Sequence, residues 1–308
     1  MKSMLEVKRI SKAFGAQEVI KDLSFSIDEN SIYGFIGKNG AGKTTTMKMI
    51  LGLYTLDGGE IYVNGEKVMY GKGRTNSFIG YLPDVPEFYN FMTPEEYLAL
   101  CGEISLMDKK ECKDRINELL EAVGLEAARR KRIKGFSRGM KQRLGIAQAL
   151  LNKPRLLICD EPTSALDPEG RKEILDILHS LKGSTTILFS THILSDVERI
   201  CDEIGVLHEG RLALSGSLED IRGKRSSKGF EIEFARPQDT EAFLRVKTIE
   251  GLFANYQRKS GTKLVFQNSG EDSVITAMRA MVHNKIEPLS IIRLEPTLED
   301  LFLEVTSK

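Results

Sequence analysis

Net charge is missing from this chain: 44 lysines and arginines meet 44 aspartates and glutamates. That balance removes the electrostatic footprint of most nucleic-acid binders, so no nucleic-acid partner is expected. Long apolar runs are missing too. No stretch approaches the roughly 18 uninterrupted apolar residues of a membrane helix, and the opening MKSMLEVKRI lacks the charged region and apolar core of a signal peptide. The expectation is a chain neither exported nor membrane-spanning. Cysteine is scarce, and Cys101, Cys112, Cys159 and Cys201 form no CxxC pair and have no histidine at ligand spacing. This excludes a zinc site or a disulfide frame and fits reduced thiols in a cytoplasmic protein. Repeats and low-complexity tracts are also lacking. Apolar residues, at 41%, are plentiful enough to bury, and 308 residues favour two domains over one.

MLEVKRI and LSFSID, within residues 1–35, alternate apolar and polar side chains and predict short antiparallel strands. IYGFIG, residues 32–37, is instead a continuous apolar run closing on glycine, as in a buried central strand. It feeds TTTMKMILGL, where Met47, Ile50 and Leu51 recur at helical spacing. From Thr93 the composition turns helical: TPEEYLALCGEI has a threonine cap with proline at the first helical position, and ECKDRINELLEAVGL continues it. A third helix starts at Ser137 and ends before Pro154, carrying Met140, Leu144, Ala147 and Leu151 on one stripe. RLLICDEP supplies a second buried strand, LDPEGRKEILDILHSLKG a helix stopping at Gly183, and STTILFSTH a third strand. Strand and helix alternate, which predicts an α/β fold with a mostly parallel sheet covered by helices.

The basic, Gly/Ser-bearing stretch IRGKRSSKG has no apolar period and predicts a linker at 223–229. Residues 230–308 then read strand, helix, hairpin around KSGT, helix and strand. That split-βαβ order predicts a small α+β domain. TLEDLFLEV follows as a last helix, with Thr297 and Asp300 spaced as a capping box.

The stretch 37-GKNGAGKT-44 lies between a buried strand and a helix. Its glycines permit positive φ and turn backbone N–H groups inward as a nest for phosphate oxygens. Lys43 would reach the β- and γ-phosphates, Thr44 would ligate magnesium, and the helix N-terminus adds its positive end. Candidate nucleotide-binding residues are Gly37, Lys38, Asn39, Gly40, Ala41, Gly42, Lys43, Thr44 and Thr45. Asp160 and Glu161 close the strand in RLLICDEP, whose C-terminal end lies beside the phosphate loop in a doubly wound sheet. There Asp160 would hold the magnesium and Glu161 would polarise the attacking water; alone, an acidic pair merely ends a strand. His192 leaves a buried strand toward the same crevice, placed to bond a γ-phosphate or align a water. His179, His208 and His283 read as structural or exposed.

In this order GKNGAGKT, 136-FSRGMKQ-142, LLICDEP, 164-SALD-167 and STH make the sequence similar to the ATP-binding subunit of an ABC transporter, over about residues 4–222. The resemblance implies a P-loop NTPase cassette at 1–222 with an antiparallel β subdomain and a helical subdomain at about 90–152. It also implies ATP hydrolysis with Mg2+, and two copies sandwiching two ATPs. Ser137, Arg138, Gly139 and Asp167 would then contact the ATP held by the other copy. The family signature is usually LSGGQ; here Arg138 and Met140 replace a glycine and a glutamine. Physically, Ser137 with Gly139 at a helix start is either an anion site or a simple cap. Phe14 matches the aromatic that stacks on adenine, or packs into the core. Asp84, in 79-IGYLPDVPEFY-89, stands where the family has glutamine; it is shorter and anionic, and is expected to keep a magnesium-sensing role.

LEPTLEDLFLEVT, the FSRGM signature and the Gly-Tyr-Leu-Pro loop resemble single-cassette exporter subunits of the bacitracin, sodium and drug-efflux branch. This implies a separately encoded polytopic permease and a place on the inner face of the cell membrane. The basic run 129-RRKRIK-134 is a solvated face or a contact with permease or anionic lipid. The alternative function is a soluble ABC ATPase acting on ribosomes or nucleic acid; a nucleotide-gated regulator is weakened by Glu161 and His192. No site is recognisable in the C-terminal domain, which regulates, aids dimerisation or braces the cassette.

Overall fold

Two sheets share one core in the first 218 residues. Of the whole chain, the computed structural model describes residues 2–223, 229–246, 256–267, 272–294 and 297–306. It forms two units, Met1–Leu218 and Glu219–Lys308. In the first, β1 (Ser3–Phe14) and β2 (Gln17–Asp28) are long strands rather than the short ones expected, because register shifts absorb the breaks in alternation. At one of these Arg9 takes φ +50° and its N–H reaches the Ser24 hydroxyl at 2.8 Å. With β4 (Gly58–Val63) and β5 (Glu66–Lys67) they form an antiparallel sheet ordered β2-β1-β4-β5.

The second sheet is six-stranded, ordered β10-β9-β3-β8-β7-β6. It comprises β3 (Ile32–Ile36), β6 (Ile79–Leu82), β7 (Leu156–Asp160), β8 (Thr186–Thr191), β9 (Glu203–His208) and β10 (Arg211–Ser217). All neighbours are parallel except the β9–β10 hairpin. Every residue of β3, β7 and β8 is buried, as their apolar stretches predict, and Asp160, Ser190 and Thr191 are buried with them at the strand ends. The short helix α1 (Lys43–Ile50) lays Met47, Met49 and Ile50 into a cluster shared with Val7 and Ile10 of β1 and Leu156 and Ile158 of β7. The two sheets therefore hold between them the helix that follows the glycine loop.

Three helices build the segment between β6 and β7. A capping box of Thr93 and Glu96 starts α2 (Pro94–Ile104), Asp108 caps α3 (Lys109–Ala122), and Ser137 caps α4 (Arg138–Leu150). After β7 come α5 (Pro168–Ser180), α6 (Leu194–Ile200) and, at the division between the units, α7 (Leu218–Gly223). The expected linker at 223–229 is thus trimmed at both ends: Gly223 closes a helix and Gly229 opens a strand, while 224–228 lie outside the described residues. Leu218 and Ile221 are buried at helical spacing, which is why that stretch is not coil.

The second unit contains β11 (Gly229–Phe234), α8 (Pro237–Leu244), β12 (Tyr256–Arg258), β13 (Lys263–Gln267), α9 (Ser273–His283), β14 (Pro288–Leu294) and α10 (Leu298–Thr306). Its antiparallel sheet runs β12-β13-β11-β14. Phe230, Ile232 and Phe234 of β11 pack with Phe243 of α8 and with Ala277 and Met281 of α9 in a core of their own. The tail of the expected helix DTEAFLRVKTI lies outside the described residues. Asp300 accepts from the Thr297 N–H at 3.1 Å and Thr297 from the Asp300 N–H at 3.1 Å.

Candidate functional site

Strand order brings the candidate residues together. β8 lies between β3 and β7, and registers Ile36 with Thr191 and Ser190 with Asp160. The loops leaving these three strands, which start at Gly37, Glu161 and His192, therefore meet at one edge of the sheet. They line a cleft of about 320 Å³, within the size range of small-ligand sites. Asn39, Gly40, Gly42, Lys43, Thr44, Thr45, Asp84, Asp160, Glu161 and His192 all face it, joined by Val19 and Ser164.

The loop needs its glycines where φ turns positive: +83° at Gly40 and +109° at Gly42. A Cβ on Gly42 would also sit 2.5 Å from Ile20 Cδ1 and 3.2 Å from the Val19 carbonyl, so β2 fits the loop only because no side chain intervenes. Lys43 folds back beneath it. Its buried Nζ donates to the Gly37 carbonyl at 2.6 Å and lies 3.1 Å from Glu161 Oε1. That contact is an ion pair outside hydrogen-bond geometry, so Glu161 Oε1 accepts no hydrogen bond.

Asp160 is held at both oxygens. Thr44 Oγ1 donates to Oδ2 and Ser190 Oγ to Oδ1, each at 2.7 Å, and the residue is only 3% exposed. The Ser190 hydroxyl also accepts from the Glu161 N–H at 3.1 Å. Ser190 escaped the sequence reading: its place two residues before His192 was the one signal, and the register of β8 against β7 sets it beside Asp160. Glu161 sits at φ +49°, a region few glutamates occupy, and strain of this kind gathers at functional positions. Its Oε2 is 2.8 Å from His192 Nδ1. The carboxylate thus spans from the loop lysine to the histidine.

A hydroxyl and a carboxylate, both hard oxygen donors, adjoin at Thr44 and Asp160. Among the described residues no group of three or more His, Cys, Asp or Glu side chains could cage a metal alone. Magnesium takes one or two carboxylates and fills its sphere with phosphate oxygens and water, so these residues fit it. Burial pushes the Asp84 carboxyl above its ordinary value, Asp160 and Glu161 add to the rise, and Arg138 opposes it. Burial, with Asp160 next, pushes the Tyr81 hydroxyl up to about 12, so it stays neutral.

Outside the cleft lining are Phe14, Lys38, Ser137, Arg138, Gly139 and Asp167; Gly37 and Ala41 belong to the loop itself. Phe14 is 46% exposed and meets Tyr54 edge-on at 5.4 Å, with Lys12 Nζ 5.4 Å above its ring. It is not a core side chain. Ser137 Oγ accepts from the Met140 N–H at 3.2 Å, which is the capping role, and its own O–H remains available to donate. A Cβ on Gly139 would meet nothing within 4 Å. In the basic run, Arg129 is held by Glu95 at 2.8 Å and Arg132 by the Phe91 carbonyl, so these two serve the fold. All four cysteines are free, and burial pushes each thiol up, away from reactive thiolate.

Residues 20–164 match the family model described as "ABC transporter". The uncharacterized ABC transporter ATP-binding protein YxlF of Bacillus subtilis (strain 168) is 39% identical over 306 residues, 98% of this chain and 99% of that one. The bacitracin transport ATP-binding protein BcrA of Bacillus licheniformis is 36% identical over 307 residues, 99% of this chain and 98% of that one. A solved ATP-binding subunit of an ABC transporter superposes with a TM-score of 0.65 at 38% identity, covering 72% of this chain and 92% of that one. With its phosphate loop, acidic pair and histidine in one cleft, and with relatives alike from end to end, the chain belongs to the ATP-binding proteins of ABC transporters, ATPases that couple hydrolysis to transport.

Proposed function

We propose that this ATPase hydrolyses MgATP in a sandwich of two copies and drives an exporter whose membrane path is a separately encoded permease. Thr44 and Asp160 hold the magnesium, Lys43 and the loop N–H groups hold the phosphates, and Glu161 orients the attacking water with His192 beside it. The observation that carries this reading is Glu161, suspended between Lys43 and His192 at the mouth of the phosphate loop. A phosphate group entering the cleft competes for the Lys43 ammonium and turns the carboxylate toward water. Ser137, Gly139 and Asp167 lie outside the chain's own cleft, which supports their closing on nucleotide held by the other copy.

The helical segment supports permease docking. Val85, Tyr89 and Phe91 are each more than half exposed, and the two aromatics stand 5.8 Å apart. Among the described residues no helix is long and apolar enough to cross a membrane, so the path belongs to another chain in this reading. The bacitracin transport relative supports the drug-efflux branch and a place on the inner membrane face. Selectivity for substrate lies in the permease.

Glu161→Gln tests the chemistry. Turnover should fall about 10²- to 10⁴-fold, the range of a general base, while ATP affinity holds and a dimer accumulates with ATP. Turnover at the wild-type rate removes Glu161 from the role. The transport arm is tested by purifying the chain from membranes: a polytopic membrane protein should accompany it, and recovery of ribosomes or DNA instead would overturn export.

A further inference from the structure

Asp84 and Arg138 are two of the places where this chain departs from the motif pattern, and the fold sets them against each other. Arg138 Nη2 lies 3.6 Å from Asp84 Oδ1. That oxygen is shut from solvent and accepts no hydrogen bond. Among the described residues Arg138 is the one cation within ion-pair distance of it.

The contact is the first of four along one face of α4. A turn further on, the Gln142 side-chain N–H donates to the Asp84 backbone carbonyl at 3.3 Å, and Gln142 is only 2% exposed. At Gly145 a Cβ would lie 2.6 Å from Leu82 Cδ1 and 3.2 Å from Pro86 Cβ. A Cβ on Gly80 of β6 would lie 2.2 Å from the Ala149 carbonyl oxygen. Positions 138, 142, 145 and 149 follow helical spacing, so the whole length of α4 bears on residues 80–86 without slack. At the N-terminal end of this seam Asp84, which lines the cleft with Asp160 and Glu161, meets Arg138 of the Ser137–Gly139 turn.

We propose that Arg138 is a positioning residue that acts within its own chain through Asp84, tying the state of its own cleft to the aim of the Ser137–Gly139 turn. This rests on the two-copy sandwich proposed above, in which that turn closes over the other copy's ATP. Arg138 is then not itself a ligand of that ATP. A carboxylate that must answer both a cation in the cleft and the guanidinium at the start of α4 divides its charge between them, so occupancy of one cleft changes the hold on the turn serving the other. The pair makes the two sites communicate.

The two assignments predict opposite arithmetic in a double-mutant cycle. In the Glu161→Gln background, where turnover is removed, ATP-driven dimerisation is measured by sedimentation for the parent, Asp84→Asn, Arg138→Gln and the double variant. With two pairs per dimer, each worth about threefold as a partly exposed ion pair, Arg138→Gln should weaken dimerisation about tenfold. The same change should have no further effect once Asp84 is already asparagine, and Arg138→Lys should restore most of the loss. Effects that multiply would mean Arg138 meets the other copy's nucleotide directly, and an Arg138→Gln protein that dimerises like the parent would equally sink the pairing. Thermal melting of each variant separates these outcomes from misfolding, because a half-exposed pair leaves the midpoint nearly unchanged. Should the parent bind ATP and stay monomeric, the sandwich reading fails and takes this inference with it; a dimer with multiplicative effects removes Arg138 alone.

Discussion

Lys43 carries more of the site than its place in the loop suggests. It is buried to 5% exposure, satisfies the Gly37 carbonyl and is the cation facing Glu161 Oε1. Lys43→Ala should therefore weaken ATP binding at least ~100-fold, about 2.7 kcal/mol, when titrated with a fluorescent analogue. It should also lower the melting midpoint, since the Gly37 carbonyl left without its donor costs about 1–3 kcal/mol. Near wild-type affinity would remove the lysine from phosphate binding. At this scale the loop, Asp160, Glu161 and His192 are legible because each leaves a buried strand at a motif-fixed spacing. Ser190 is not, since its role comes from a neighbour 30 residues away on β7. Nor is the Arg138–Asp84 contact, which joins residues 54 apart through the bend of a loop.

Helices with caps and strands buried on both faces are the elements whose chemistry is local, and these can be read directly. Thr93 with Glu96 announces α2, and LLICD can only be an interior strand. Residues 52–92 and 193–220 carry no such signal, so β4, β5, β6, β9 and β10 had no counterpart in the sequence reading. GGEIYV is short and half-polar, and β6 owes its place to Gly80, which lets α4 approach. The helical segment also contains an electrostatic staple with a testable pH signature. Arg129 holds the Glu95 carboxyl below its ordinary 4.5. A depressed carboxyl contributes stability above its unfolded value and loses it as pH falls through the folded one. Because the pair is solvent-screened, Arg129→Ala should lower stability only modestly at pH 7. That deficit should shrink from pH 7 to an acid pH below 4.5, as Glu95 takes up its proton in the folded protein. Urea titrations at the two pH values decide it: an equal deficit at both would mean the arginine stem contributes by packing rather than by charge.

At the level of the whole molecule, alternation of strand and helix was enough to predict the parallel sheet, whereas the proposed partners are other chains, marked on this one only by exposed side chains. Every described residue lining the cleft lies within the first unit, and each unit has a hydrophobic cluster of its own. Nucleotide that binds only the folded form adds stability by mass action, about 2.7 kcal/mol at 100 times its dissociation constant. For a unit of this size each kcal/mol moves the midpoint by roughly 2–4 °C. MgATP added to the Glu161→Gln protein should therefore raise the first unit's transition by roughly 5–10 °C in calorimetry. The transition of the second unit should stay where it was, because the described residues that line the cleft belong to the first unit, and Lys43→Ala should abolish the shift. ADP without magnesium should give a smaller rise, since Thr44 and Asp160 then have no ion to share with the phosphates. An equal shift of both transitions would show that nucleotide binding is felt by the second unit, making it part of the ATP-driven cycle rather than a separately folding appendage.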